Sequence, residues 1–252
     1  MSKIDAVRFV LKCQNWNEIA LPVATHKPLT RIALRNGHHF QAPVIYWCEV
    51  NAIYFASIYN PVQLPIEKDD VVVDIGANIG LFTVYAASRT QNAVYAFEPS
   101  PGNFEAFKQN IRANRLNNVI PFQAAVSNVS GIEQFFDSAE NPVSCTLKSA
   151  SSRTAGKCIE VRSTTLQDII DSNNLERIDF LKMDCEGSEG LILESTSKDC
   201  LHRIRKIAME FHDHISKLKH DDIRQLLQRA GFITSIDHDG KSMLGYLYAW
   251  RA

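Results

Sequence analysis

The sequence predicts an α/β fold built on a mostly parallel sheet. Three observations carry that expectation. First, Val71-Val72-Val73 is a short β-branched run closed by Asp74, and Gly76-Ala77-Asn78-Ile79-Gly80 follows it. Leu81, Phe82, Val84, Tyr85 and Ala87 then recur at helical spacing, so the order is strand, glycine turn, helix. Second, apolar strand runs and helical patterns alternate from Val71 onward, as βαβ units do. Third, Phe232 to Ile236 and Tyr246 to Trp250 flank Asp239-Gly240 and read as a terminal antiparallel strand pair.

The elements follow in order. Residues 1–63 read as an N-terminal cap on a core domain of residues 64–252. Ile4, Val7, Phe9, Val10 and Leu11 suggest a short amphipathic helix. Thr30 to Arg35 alternates polar and apolar residues before the turn Asn36-Gly37. Ile45 to Ile58 is an aromatic, helical-looking run that stops before Asn60-Pro61. Such a cap either shapes a substrate pocket or simply packs. In the core, Ser100-Pro101 supplies an N-cap and an N1 proline, and Phe104, Phe107 and Ile111 face inward. Asn103 and Asn110 suit ligand contact or plain capping equally. Val119 to Val126 is the third strand. Gln134 to Phe136 and Ile159 to Val161 are strands flanking Asp137 to Lys157, a Ser/Thr/Asn-rich loop that is either a lid or a passive excursion. Thr165 to Asp168 resembles a capping box. Ile178 to Asp184 and Ile207 to Phe211 are the fourth and fifth strands, and Gly231 ends the helix from Asp222 to Ala230.

A net charge of −1 offers no field for nucleic acid or an anionic membrane. No apolar run approaches the ~20 residues of a bilayer span. Neither a long apolar N-terminal core nor a Cys-x-x-Cys pair among the six cysteines is present, which fits a soluble, cytoplasmic protein.

The glycine turn narrows the ligand. A dinucleotide fingerprint needs Gly-x-Gly-x-x-Gly, yet Asn78 and Leu81 stand where its later glycines belong. Glu98 closes the next strand, where an acid accepts hydrogen bonds from ribose hydroxyls. That combination suits S-adenosylmethionine better than NAD.

With VVVDIGANIGLFT, AFEPSPGNFEAFKQNI, FLKMDCEGSEG and MEFH in this order, the chain resembles the FkbM-type methyltransferases from about Leu64 to its C-terminus. The resemblance implies a class I methyltransferase, Rossmann-like: a seven-stranded, mostly parallel sheet with helices on both faces. It also implies S-adenosylmethionine as cofactor, O-methylation of a hydroxyl on a small molecule or glycan, and Ala124 and Ala125 flanking the adenine. With Asp74, Gly76, Asn78, Gly80 and Glu98 these make the expected cofactor site.

Asp74, Glu98, Asp184 and Glu210 all fall at strand ends, so they are expected to gather at one rim of the sheet. Lys182, within a buried strand, is either a structural ion-pair partner or a desolvated lysine near the acceptor. Asp184, Glu210 and His212, with Lys182 behind them, are the expected catalytic group. Either a divalent cation is held there, or His212 takes the acceptor's proton directly. The sequence offers only two acids plus Glu186 or Asp213 for a hard cation, so the metal-free arrangement is preferred. The rival classes are an NAD-dependent oxidoreductase and a non-catalytic S-adenosylmethionine-binding protein.

Overall fold

The computed structural model describes residues 3–137, 146–147 and 157–251. The expected lid or excursion, 137–157, falls almost entirely outside them. The N-terminal part holds α1 (Lys3–Leu11), α2 (Trp16–Ala24), the hairpin β1 (Leu29–Ala33) and β2 (His39–Ile45), and α3 (Trp47–Tyr54). Next come β3 (Val72–Ile75), α4 (Leu81–Ala87), β4 (Val94–Phe97), α5 (Pro101–Ala113), β5 (Val119–Phe122) and β6 (Ala125–Val126). The middle carries β7 (Gly131–Asp137), β8 (Thr146–Leu147), β9 (Lys157–Thr164), α6 (Leu166–Ser172) and β10 (Ile178–Met183). The chain closes with α7 (Glu189–Ser195), α8 (Lys198–His202), β11 (Ile204–His212), α9 (His220–Arg229), β12 (Ile233–Asp237) and β13 (Leu244–Trp250).

Seven strands form the main sheet in the order β12-β13-β11-β10-β3-β4-β5, with β13 antiparallel to both of its neighbours. This is the class I methyltransferase fold that the resemblance implied. Period-two alternation splits the apolar residues between two cores. Val72, Phe180 and Ala208 face a cluster shared with Phe9, Ile32, Trp47 and Val50, so the N-terminal segment and one face of the sheet bury each other. Val73, Leu181 and Ile207 face the other cluster, with Ile169, Ile192 and Leu227 from α6, α7 and α9. All seven residues of α4 are buried, because the N-terminal segment covers the side that would otherwise meet solvent.

Three expectations need correction. The run Val119 to Val126 is two strands: β5 is an edge of the main sheet, where Pro121 costs no ladder bond. After exposed Gln123 the chain turns away, and Ala125 pairs with Ser163 in a second sheet, β6-β9-β7-β8. The helix expected over Ile45 to Ile58 is only Trp47–Tyr54, since Ile45 ends β2. In α1 only Phe9 is buried; Ile4, Val7 and Leu11 are more than half exposed. No helix of the described residues is long and apolar enough to cross a membrane.

Phe180 is fully buried and stacks with Phe82 at 6.1 Å where sheet and N-terminal segment meet. Phe180→Ala is expected to cost about 3–5 kcal/mol in urea unfolding, whereas Ile132→Ala at an exposed position changes stability by at most about 0.5 kcal/mol. Equal effects would contradict this placement of the core.

Candidate active site

The sheet places its cleft by topology. From β3 the chain proceeds outward through β4 to β5, then returns to build β10 and β11 on the other side. Crevices at such a reversal are where open α/β sheets bind ligands. A cavity of about 630 Å³ lies there, reached by Gly76, Asn78, Glu98, Asp184, Glu210 and His212.

The turn after β3 is held from two sides. Gly76 has φ +77°, and a Cβ there would stand 1.8 Å from the carbonyl oxygen of Asp184, so only glycine lets β3 and β10 end this close. Gly80 opens α4 at φ +89°, and a Cβ would press 2.4 Å from the Phe107 ring. Behind the turn, Lys182 donates to Gly76 O at 2.7 Å and to Ile75 O at 3.3 Å, and its Nζ lies 3.1 Å from Asp74 Oδ1. Both partners of this ion pair are buried, and Thr83 Oγ1 donates to Asp74 Oδ2 at 2.6 Å. Burial works against the Lys182 charge, but Asp74 and then Asp184 outweigh it and raise the pKa. Lys182 is therefore a protonated clamp on the turn, which fits the ion-pair reading and not that of a proton acceptor. Asp74 is fully buried in the same pair and does not line the cavity, unlike Gly76 and Asn78.

Glu98 lines the cavity at the end of β4. Asn78 N donates to its Oε2 and Ser100 N to its Oε1, both at 2.8 Å. Burial pushes its carboxyl up to about 7, although these hydrogen bonds favour the ionised form. Ala125 also lines the cavity, with Val126, Phe135 and Leu147; Ala124 does not. Asn103 reaches the cavity too. Asn110 does not: it bonds Ile79 O and Gln41 N at 2.8 Å each, tying α5 to the glycine turn and the N-terminal hairpin.

At the other end of the cavity the parallel register Met183↔Met209 puts Asp184 beside Glu210, and His212 ends β11. The sequence missed their bridge: Tyr59 Oη lies 2.9 Å from Asp184 Oδ2 and 3.0 Å from Glu210 Oε2. Glu49, at the start of α3, and Glu186 line the same space. Burial first, then neighbouring carboxylates, push Glu49 and Glu210 up to about 8 and about 7. Burial likewise lifts Glu186 to about 8 against the pull of His212. His212 is also buried, which disfavours its charge, yet Glu189 and then Asp184 and Glu186 raise it to about 10. Its Nδ1 faces Glu189 at 3.3 Å and its Nε2 faces Glu186 and Asp184 at 3.7 and 3.9 Å. Glu189, fully buried in the first turn of α7, anchors the Cys185–Gly187 turn by accepting from Cys185 N at 2.8 Å and Gly187 N at 3.1 Å.

The family model described as the methyltransferase FkbM domain matches residues 74–234, which runs from the glycine turn through both rims of this cavity. The chain belongs to the FkbM methyltransferase family. The cofactor of this family is S-adenosylmethionine. The 31-O-demethyl-FK506 methyltransferase FkbM of Streptomyces tacrolimicus is 29% identical over 202 residues, 69% of this chain and 76% of that one. The hexuronic acid methyltransferase AglP of Haloferax volcanii is 24% identical over 183 residues, 71% of each chain. The AMB antimetabolite synthetase AmbE of Pseudomonas aeruginosa is 29% identical over 224 residues, 74% of this chain but only 10% of that protein. A crystal structure of a methyltransferase FkbM from Methylobacillus flagellatus has the same fold, with TM-score 0.53 at 15% identity over 98% of this chain and 58% of that one.

The FkbM family match begins at Asp74, so Glu49 and Tyr59 lie before it; the aromatic run up to Asn60-Pro61 is the only sequence signal that marks them. Lys182→Met leaves Asp74 charged and buried without its partner, and is expected to cost about 3–5 kcal/mol in denaturant unfolding. Adding Asp74→Asn restores part of that. A single-variant loss below about 1 kcal/mol would contradict the buried-pair reading.

Proposed function

We propose that this chain transfers the methyl group of S-adenosylmethionine to a hydroxyl oxygen on a small molecule or glycan. The observation that carries the proposal is one cavity with a nucleoside-type end, formed by the Gly76–Asn78 turn and Glu98, and a carboxylate end formed by Asp184 and Glu210. The residues fit the cofactor. The glycine turn brings backbone to the cavity wall, Glu98 closes the strand where ribose hydroxyls would donate, and Ala125, Val126, Phe135 and Leu147 give an apolar face for a base. When bound, S-adenosylmethionine supplies a methyl carbon on a sulfonium sulfur, which keeps the carbon–sulfur electron pair as the carbon bonds to the acceptor oxygen.

The residues of this chain do the remaining work. Lys182 fixes the turn through Gly76 O, so the cofactor end is pre-organised. Glu49 and Tyr59 close the wall above the carboxylates, and Tyr246 reaches the same cavity, which limits water. A ring of acids disfavours an anionic acceptor and suits a neutral hydroxyl that can donate a hydrogen bond. Tyr59 already bonds Asp184 Oδ2 and Glu210 Oε2. We assign the acceptor's proton to a carboxylate oxygen of Glu186, which lines the cavity with φ +53° in the sharp turn after β10. The names of two relatives, one for a 31-O-demethyl compound and one for a hexuronic acid, support an oxygen-rich acceptor. A nicotinamide cofactor is disfavoured by Asn78 and Leu81 in the turn.

Calorimetry tests the cofactor end. S-adenosylhomocysteine is expected to bind and NAD is not. Ribose donation favours ionised Glu98, whose folded-state pKa is raised to about 7. Affinity therefore holds at pH 8 and falls by about tenfold at pH 6, as the carboxylate takes up a proton. Glu98→Gln is expected to bind more weakly and to lose the pH dependence. Tight NAD binding, or a wild-type affinity that does not change with pH, would contradict this assignment.

A further inference from the structure

Three donors meet at the carboxylate end of the cavity. One ligand atom each from Asp184, Glu210 and His212 can lie within 4.8 Å of the other two. Two carboxylate oxygens and one imidazole nitrogen are a donor set for a divalent cation of the manganese or magnesium class.

Acidic clusters occur without cations, and three further observations separate this one from them. His212 is 4% exposed, yet its Nδ1 has no well-formed hydrogen bond. Its Nε2 is aimed into the cluster, with the nearest acceptors, Glu186 Oε2 and Asp184 Oδ1, at 3.7 and 3.9 Å, too long for a hydrogen bond. Its Nδ1 stands 3.3 Å from Glu189 Oε1, the placement of a carboxylate behind a metal-ligating imidazole. The Tyr59 hydroxyl stands at bonding distance from two carboxylates, so its one proton cannot serve both at once. Finally, Lys182 is 3.9 Å from Asp184 and is already held by Asp74 and Gly76 O. Glu49, Asp184, Glu186 and Glu210 thus line one space whose neighbouring lysine is committed elsewhere.

We propose that Asp184, Glu210 and His212 bind a divalent cation at the acceptor end of the cavity, leaving open positions that take the acceptor's oxygen. The role at the acceptor rests on the methyl-transfer reading; the cation site itself does not. This reverses the metal-free preference drawn from the sequence, where the third donor was sought among acids. Asp213, one of those acids, is turned away: it accepts from His220 N at 2.8 Å and pairs with the His220 ring. The third donor is the imidazole. Glu186 lines the same cavity outside the ligand set and is the group to which the acceptor's proton is assigned.

The test uses the full chain, treated with chelator and titrated with Mn²⁺ alone while free Mn²⁺ is followed by electron paramagnetic resonance. About one Mn²⁺ per chain is expected. Asp184→Asn, Glu210→Gln and His212→Gln should each weaken it by at least the roughly 10–100-fold that outer-shell changes cost elsewhere, and Asp213→Asn should leave it unchanged. S-adenosylhomocysteine binding reports whether each variant is folded. Should a variant fail to fold, pulsed paramagnetic resonance on the wild type still decides, because an imidazole nitrogen coupled to bound Mn²⁺ is required. Absence of Mn²⁺ binding or of that coupling, in protein that binds S-adenosylhomocysteine, overturns the cation site and leaves the cofactor assignment standing. Mn²⁺ binding unaffected by all three ligand variants overturns it equally.

Discussion

The buried pair of Lys182 and Asp74 is the constraint on which the rest of the site depends. Two opposite charges on neighbouring strands, paired in register, are worth keeping only if every remaining donor and acceptor is satisfied. The structure comes close to that condition: Thr83 donates to Oδ2 of the acid and the amine donates to the carbonyls of Ile75 and Gly76, while Oδ1 has the ammonium 3.1 Å away and no hydrogen bond. The bond to Gly76 O matters most. It fixes the turn from beneath, while the Asp184 carbonyl, too near for any Cβ at Gly76, fixes it from the side. The glycine-turn end and the carboxylate end of the cavity therefore meet at one joint between β3 and β10.

Much of the fold was legible because its strands announce themselves. Val72, Val73 and Ile75 are buried on both faces of a parallel sheet, and such runs are continuous and apolar. The glycine turn and the terminal hairpin were legible for equally local reasons. Where reading failed, the deciding partner was distant in sequence. Nothing within Val119 to Val126 reveals that Ala125 leaves the main sheet for Ser163. Nothing in Leu81 to Ala87 reveals that α4 is enclosed on every side, since the cover is supplied by residues before β1 and in α3.

The site divides along the same line. Strand-end acids are a topological signal, and Glu98, Asp184 and Glu210 do reach one cavity. Asp74, one residue short of the end of β3, is instead paired with Lys182, its register partner on β10. Ala124 misses the cavity that Ala125 lines because the chain turns between β5 and β6. His212 was visible as a residue, but the three carboxylates that surround it, one of them on α7, were not. Tyr59 and Glu49 carry no motif and enter from the N-terminal segment. That segment is thus a wall of the cavity as well as a packing partner of the sheet.

One joint, a cofactor end and a carboxylate end together amount to a claim about which atom receives the methyl group. Nuclear magnetic resonance of the product made with carbon-13-labelled S-adenosylmethionine and a cell extract tests that claim most directly. A new labelled methyl signal at the methoxy position, lost in Asp184→Asn, is the result expected for transfer to oxygen. A labelled methyl on nitrogen, carbon or sulfur would contradict it.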